Sequence, residues 1–215
     1  MIIEQLIHRI SQGLSYVLYP LFVPTYGMML FCYALAQRSG SLTWGWSAVA
    51  IGGTVMLTCV IPLLSILLLI KQGKVTDMQI ENASERTWPY IYAATGFALW
   101  AYLLIRILHA PLSLNLIGIG ATVALILVAI INRRWKISAH LTGIGGLVGG
   151  ALTYYVSVGV VPSWWALSAW LGVSLILMYA RLYLRAHTVT QVVAGWLLGL
   201  TCTALPYCMI AYVWS

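Results

Sequence analysis

The chain has 215 residues, of which 62% are hydrophobic and only 7% charged, and its eleven Lys and Arg outweigh four acids to give a formal net charge of +7. Soluble domains carry about 25% charged residues, so the composition excludes an aqueous globular fold and makes lipid the solvent. In a soluble chain this basic balance would point to nucleic acid. Here it points to loop charges that meet phosphate head groups or set topology, and no nucleic-acid partner is expected.

Residues 1–12 (MIIEQLIHRISQ) place Ile2, Ile3, Leu6, Ile7 and Ile10 at helical spacing, which predicts a short interfacial helix. A first span follows from about Leu14 to Ala36; its Pro20 and Pro24, with no small-residue cleavage site behind them, argue against a cleaved leader. The second span runs from about Trp46 to Ile70 and leads into the longest polar stretch, KQGKVTDMQIENASERTWP, which holds Asp77, Glu81 and Glu85. From Tyr90 to Ile131 the apolar sequence is broken only at RILHAPLSLN, giving two spans. NRRWKISAH comes next, and residues 141–180, broken at GVVPSWW, give two more. RLYLRAH then introduces a last span from about Thr188 to Tyr212. Each stretch is close to the ~20 residues a bilayer needs. The fold expected is all-α, a polytopic transmembrane helical bundle of about six to seven spans forming one integral membrane domain over residues 1–215.

Cys32, Cys59, Cys202 and Cys208 lie in apolar segments without CxxC spacing and are expected as small buried hydrophobes rather than disulfides or metal ligands. GIGGLVGG (143–150) sits inside a span with no preceding strand, so Gly143, Gly146 and Gly150 are expected to serve helix packing and not nucleotide binding.

Two spans separate each polar loop from the next, so loops 71–89, 132–140 and 181–187 emerge on one membrane face. That face carries Arg9, Lys71, Lys74, Arg86, Arg133, Arg134, Lys136, Arg181 and Arg185; the other has only Arg38 and Arg106. By the positive-inside rule this excess puts the three loops in the cytoplasm. The first loop offers Arg86, the second Lys136, Ser138 and His140, the third Arg181 and His187. Arginines fork onto phosphate oxygens, and two histidines suit attack on phosphorus and protonation of the leaving oxygen. His187 precedes a helix N-terminus, where a phosphate is favoured. The set reads as a site for a phosphate ester carried by a lipid.

ISAH ending one loop and Arg181, five residues, His187 ending the next resemble the type 2 phosphatidic acid phosphatase superfamily, the membrane relatives of the vanadium haloperoxidases. The family's motifs are Lys, six residues, Arg-Pro; Pro-Ser-Gly-His; and Ser-Arg, five residues, His, three residues, Asp. The resemblance covers a core of about residues 71–199. It implies His187 as nucleophile, His140 as general acid, Arg86 and Arg181 as phosphate ligands with Ser138 donating a hydrogen bond, and a mechanism without metal or cofactor; Lys74, in place of the first-motif Lys, and Lys136 of the second loop are expected as further phosphate-binding residues. It implies a multi-pass protein of the bacterial cytoplasmic membrane acting on a lipid phosphate or polyprenyl pyrophosphate; bacterial members commonly carry the site on the face opposite the cytoplasm.

The sequence departs from the motifs at several places. Gln79 stands where the first-motif Lys belongs, the proline has moved to Pro89, the second motif reads Ile137-Ser138-Ala139-His140, and Ala180 precedes Arg181. The final Asp is Gln191, one helical turn after His187. Its amide oxygen can accept an imidazole proton, yet its NH2 can equally donate and favour the other tautomer. In a serine-protease triad the matching acid-to-amide change costs about 10⁴ in turnover. Two readings stay open: a metal-independent phosphatase supported by Gln191 or by a loop acid (Asp77, Glu81 or Glu85), or a degenerate relative that binds anionic head groups without turnover.

Overall fold

A computed structural model of the chain describes residues 2–39, 43–78, 80 and 82–213. All regular structure among the described residues is helical. In chain order the elements are α1 (Ile2–Val17), α2 (Val23–Ser39), α3 (Trp44–Thr54), a π-helical turn (Val55–Val60), α4 (Ile61–Lys71), a 3-10 turn (Ala83–Arg86), α5 (Thr87–Arg106), α6 (Leu112–Asn132), α7 (Ala139–Ser157), α8 (Trp164–Tyr183) and α9 (Val189–Val213). Five stretches are long and apolar enough to cross a membrane: Trp44–Lys71, Ser84–Arg106, Leu112–Asn132, Trp164–Tyr183 and Val189–Ile210. The protein is a multi-pass helical membrane bundle.

Two further helices are shorter, α2 with 17 residues and α7 with 19. α7 lies antiparallel to α8, because Tyr155 near its end packs edge-on against Trp170 of α8 at 5.7 Å while the turn after α8 returns to the residues just before α7. Along α7 runs α2, with Val23 against Leu141 at one end and Phe31 against Tyr154 at the other. On the face away from the loops, Trp46 Nε1 donates to Leu108 O at 3.1 Å, joining the start of α3 to the α5–α6 turn.

The first predicted span is not one helix. Pro20 has no N–H to give and its ring would strike the carbonyl one turn back, so α1 stops at Val17 and the chain turns through Tyr19–Phe22. Pro24 then falls in the first turn of α2, where a missing N–H costs nothing. The interfacial helix expected over residues 1–12 therefore extends to Val17. It turns Ile7, Ser11, Leu14 and Ser15 inward, leaves Ile3, Leu6 and Ile10 exposed, and is tied at its start by Tyr183 Oη donating to Glu4 O at 3.2 Å.

The tightest contact in the bundle is α7 against α9. A side chain at Gly145 would fall on the backbone of Trp196, and one at Gly149 on Thr203 and Leu200. From the other side, Gly195 faces Ser138 O and Gly199 faces Thr142 O. The expectation that Gly143 and Gly146 serve close packing is corrected by this register: a methyl at either would make ordinary contacts, the nearest at 3.5 Å and 3.7 Å. Gly150 is intermediate, with Ile117 at 3.3 Å.

This contrast gives a stability test. Gly199→Ala is expected to cost about 1–3 kcal/mol through overpacking and to lower the melting temperature in detergent. Gly172→Ala on α8, where a methyl meets nothing within 4 Å, should leave it unchanged or raise it.

Candidate active site

The α7–α9 contact brings together the two loops that carry the histidines. Ser138 is the N-cap of α7; its Oγ accepts the Leu141 N–H at 3.5 Å, and its own N–H donates to Gln191 O at 3.3 Å. After α8 the chain reverses within residues 184–188, using Arg185 at φ +53, a left-handed conformation usually left to glycine. His187 emerges from this turn, buried, just before α9.

Thr188 and Gln191 form the frame of a capping box, N-cap and N3 of α9. The amide oxygen of Gln191 accepts the Thr188 N–H at 3.1 Å and lies 3.2 Å from His187 Nδ1. Lys136 O lies 3.3 Å from the same nitrogen. A carbonyl can only accept, so Nδ1 carries the proton and donates it to both oxygens, and Nε2 is the ring nitrogen with the lone pair. The ambiguity in Gln191 is thereby resolved: the Thr188 N–H requires the amide oxygen, not the NH2, on this side.

Burial is the first cause that pulls the His187 pKa down from its ordinary value to about 4; the cations Arg181, Arg86 and Lys136 push the same way, and the Gln191 bond opposes them. The ring is neutral at pH 7.

Arg86, His140, Arg181 and His187 line one cavity of about 580 Å³. Arg86 closes the 3-10 turn before α5 and is buried; its Nε donates to Ile80 O at 2.7 Å, which fixes the guanidinium at the cavity wall. Arg181 is buried in the last turn of α8. His140, in the first turn of α7, donates from Nε2 to Ser15 O at 3.1 Å, so its Nδ1 is the nitrogen left for other partners. Tyr19 stands edge-on to the His140 ring at 5.5 Å and donates its hydroxyl to Met78 O at 2.8 Å, linking the first loop to the second.

Other residues named from the sequence stand elsewhere. Ser138 and Lys136 sit behind the cavity wall, Ser138 as a fully buried cap and Lys136 through its carbonyl. Lys74 does not reach the cavity. It ends the C-cap of α4, where Gly73 takes φ +68 and the Lys74 N–H returns to Leu69 O at 2.9 Å, and its side chain is exposed.

Nor do the loop acids approach His187. Glu85 accepts from Thr76 N at 2.7 Å, Thr76 Oγ1 at 2.9 Å and Asn82 Nδ2 at 3.2 Å, while Asp77 accepts the Ile80 N–H at 2.8 Å. They shape the loop that presents Arg86. Gln79 and Glu81 lie outside the described residues. Sequence reasoning missed Tyr19 and the Ser15 carbonyl, both on the segment before α2; the YPLFVP break was the available signal. Among the described residues no three His, Cys, Asp or Glu side chains gather as a metal site.

Two arginines and two histidines at the loop end of a helical membrane bundle define a class of protein suited to phosphate chemistry at the bilayer surface. Residues 117–215 match the family model of the PAP2 superfamily, so this part of the chain is similar to the type 2 phosphatidic acid phosphatases. The matched segment contains His140, Arg181, His187 and Gln191 and stops short of Arg86. Members of the family are generally phosphatases. No curated protein and no solved structure matches the chain.

The histidine geometry is testable by ¹⁵N NMR. His187 should titrate near pH 4 with its proton on Nδ1 in the neutral form, and Gln191→Asp, by adding an anion, should move the midpoint up; a native midpoint at the ordinary histidine value would refute the burial argument. Because the unfolded chain takes up this proton at higher pH than the folded one, the linked stability falls as pH drops from about 6.5 to about 4. Gln191→Leu loses the cap and should cost about 1 kcal/mol.

Proposed function

We propose that the protein hydrolyses a phosphate or pyrophosphate ester carried by a membrane lipid, through a phosphohistidine on His187. The observation that carries this reading is the neutral His187 ring, with its Nε2 lone pair available in a cavity that it shares with two buried arginines and a second histidine.

In the first step Nε2 attacks phosphorus and the bond from phosphorus to the lipid oxygen breaks. Arg86 and Arg181 hold the equatorial oxygens, whose charge they meet better in the transition state than in the ester. His140, which takes up a proton at Nδ1 together with the phosphate anion, gives that proton to the leaving oxygen, releasing a lipid alcohol, or a lipid monophosphate from a pyrophosphate. In the second step neutral His140 takes a proton from water, the water oxygen attacks the phosphohistidine, and orthophosphate leaves with His187 restored. Ser15 O keeps the orientation of His140 through both steps.

Charge develops on His187 as its Nε2 binds phosphorus. Lys136 O and Gln191 Oε1 stabilise that charge as dipoles, without the full negative charge that an aspartate would bring. Turnover is therefore slower than the scaffold permits. The site acts on the bilayer's own phosphorylated lipids, in the bacterial cytoplasmic membrane, and the basic loops favour the cytoplasmic side.

Phosphate release from phosphatidic acid, phosphatidylglycerophosphate and undecaprenyl pyrophosphate by protein purified in detergent tests the proposal. Native protein should release phosphate, His187→Ala should abolish it, and Gln191→Asp should raise kcat by more than tenfold, towards the ~10⁴ seen for such acids elsewhere. Release that persists in His187→Ala would overturn the phosphohistidine. A silent native protein revived by Gln191→Asp would mean a head-group binder.

A further inference from the structure

The start of α5 brings to the cavity a polar group that the reaction above does not use. From Arg86 onward the side chains divide between two faces of the helix. Trp88 and Tyr92 are exposed, and their rings stack on each other at 6.2 Å with 29° between the planes. Arg86, Pro89, Tyr90 and Ala93 line the cavity instead. Arg86 and Tyr90 stand four residues apart, which places neighbouring side chains on one helix face. The guanidinium and the phenol are hydrogen-bonded to each other.

The direction of that bond follows from the groups. A guanidinium only donates, whereas a phenol both donates and accepts. Arg86 is therefore the donor and the Tyr90 oxygen the acceptor, which leaves the Tyr90 O–H to donate elsewhere. Among the described residues it meets no carbonyl or carboxylate. Tyr19, a second phenol lining the cavity beside His140, differs in this respect, because its proton already goes to Met78 O at 2.8 Å. Arg86 has its Nε committed to Ile80 O at 2.7 Å, so the pair offers the cavity its other guanidinium N–H groups and one neutral O–H. Arg181, His140 and His187 line the same cavity.

We infer that Tyr90 donates a hydrogen bond to a non-bridging oxygen of the bound phosphoryl group, as a further phosphate-binding residue beside Arg86 and Arg181. The inference rests on the anion site of the proposed function and not on the phosphohistidine. The proton stays on Tyr90 throughout, so the residue binds and orients without acting as an acid. A neutral donor also suits a site that has Gln191 near the nucleophile. Attack by His187 builds positive charge on the ring with no carboxylate beside it, and a third cation among the phosphate ligands would oppose that charge. A phenol adds a bond to the phosphate without opposing it. The chemistry recognised is a phosphoryl group, whether of a lipid ester or of free orthophosphate.

Two measurements on the full chain separate these sources: orthophosphate affinity by titration calorimetry near neutral pH, and kcat/KM with phosphatidic acid. Tyr90→Phe keeps the ring and removes the O–H. It should weaken orthophosphate binding by about tenfold or more, the effect of one hydrogen bond to a charged group, and lower kcat/KM by a similar factor. Tyr92→Phe, on the outward face, should change neither. Native protein that binds no orthophosphate, a Tyr90→Phe affinity within about twofold of native, or an equal loss in Tyr92→Phe would overturn the assignment. A loss for orthophosphate with kcat/KM unchanged would sink the role on the ester. Melting temperatures verify folding. Should Tyr90→Phe not fold, 3-fluorotyrosine introduced at Tyr90 carries the test: its more acidic phenol donates more strongly and should tighten orthophosphate binding, and an unchanged affinity would refute the bond. Orthophosphate affinity that depends on Tyr90 in a protein releasing no phosphate from lipid would leave the assignment standing and remove the phosphatase reading instead.

Discussion

The site depends on the backbone approach of α7 to α9. Because Gly145, Gly149, Gly195 and Gly199 put no side chain of their own into that seam, the start of one helix lies beside the start of the other. Ser138 N–H can then reach Gln191 O, and Lys136 O can reach His187. Larger residues in the seam would part the helices at the point where two loops, about fifty residues apart in sequence, must meet to within hydrogen-bond distance. The packing of the apolar interior therefore sets the geometry at the polar edge.

Around His187 the protein uses fixed dipoles where a charge is expected. Gln191 holds three things at once: the first turn of α9, the Thr188 N–H and the imidazole tautomer. An aspartate has a shorter side chain and a full charge, and its reach to the same two donors would differ. The amide secures the cap and the ring together and forgoes the electrostatic driving force. With the described loop acids engaged in shaping the Arg86 loop, the loop end of the cavity is positive.

Much of this was legible in the sequence, because polar residues are conspicuous in an apolar chain. The span pattern fixed which loops share a face, and the Arg181–His187 spacing and ISAH marked residues that the fold brings to one cavity. What could not be read has physical reasons. Five glycines in eight residues leave the contacting register of α7 undetermined, since 143 and 145 differ only in which neighbour they face. Glu85 beside Arg86 suggested an ion pair or a catalytic partner, but three local donors in the loop satisfy it first. Lys74 looked near enough in sequence, yet the cap of α4 turns it outward. The break at Pro20 lay inside an apolar run, where hydropathy registers no boundary, and with it went the roles of Tyr19 and Ser15.

That break has a consequence for how the molecule must be handled. The carbonyl that orients His140 belongs to the last turn of α1, a helix with Ile3, Leu6 and Ile10 turned outward. Those side chains suit the acyl region of a leaflet, so the lipid itself supports the helix whose carbonyl orients His140. A flat nanodisc offers that helix such a leaflet, and the second histidine keeps its orientation there.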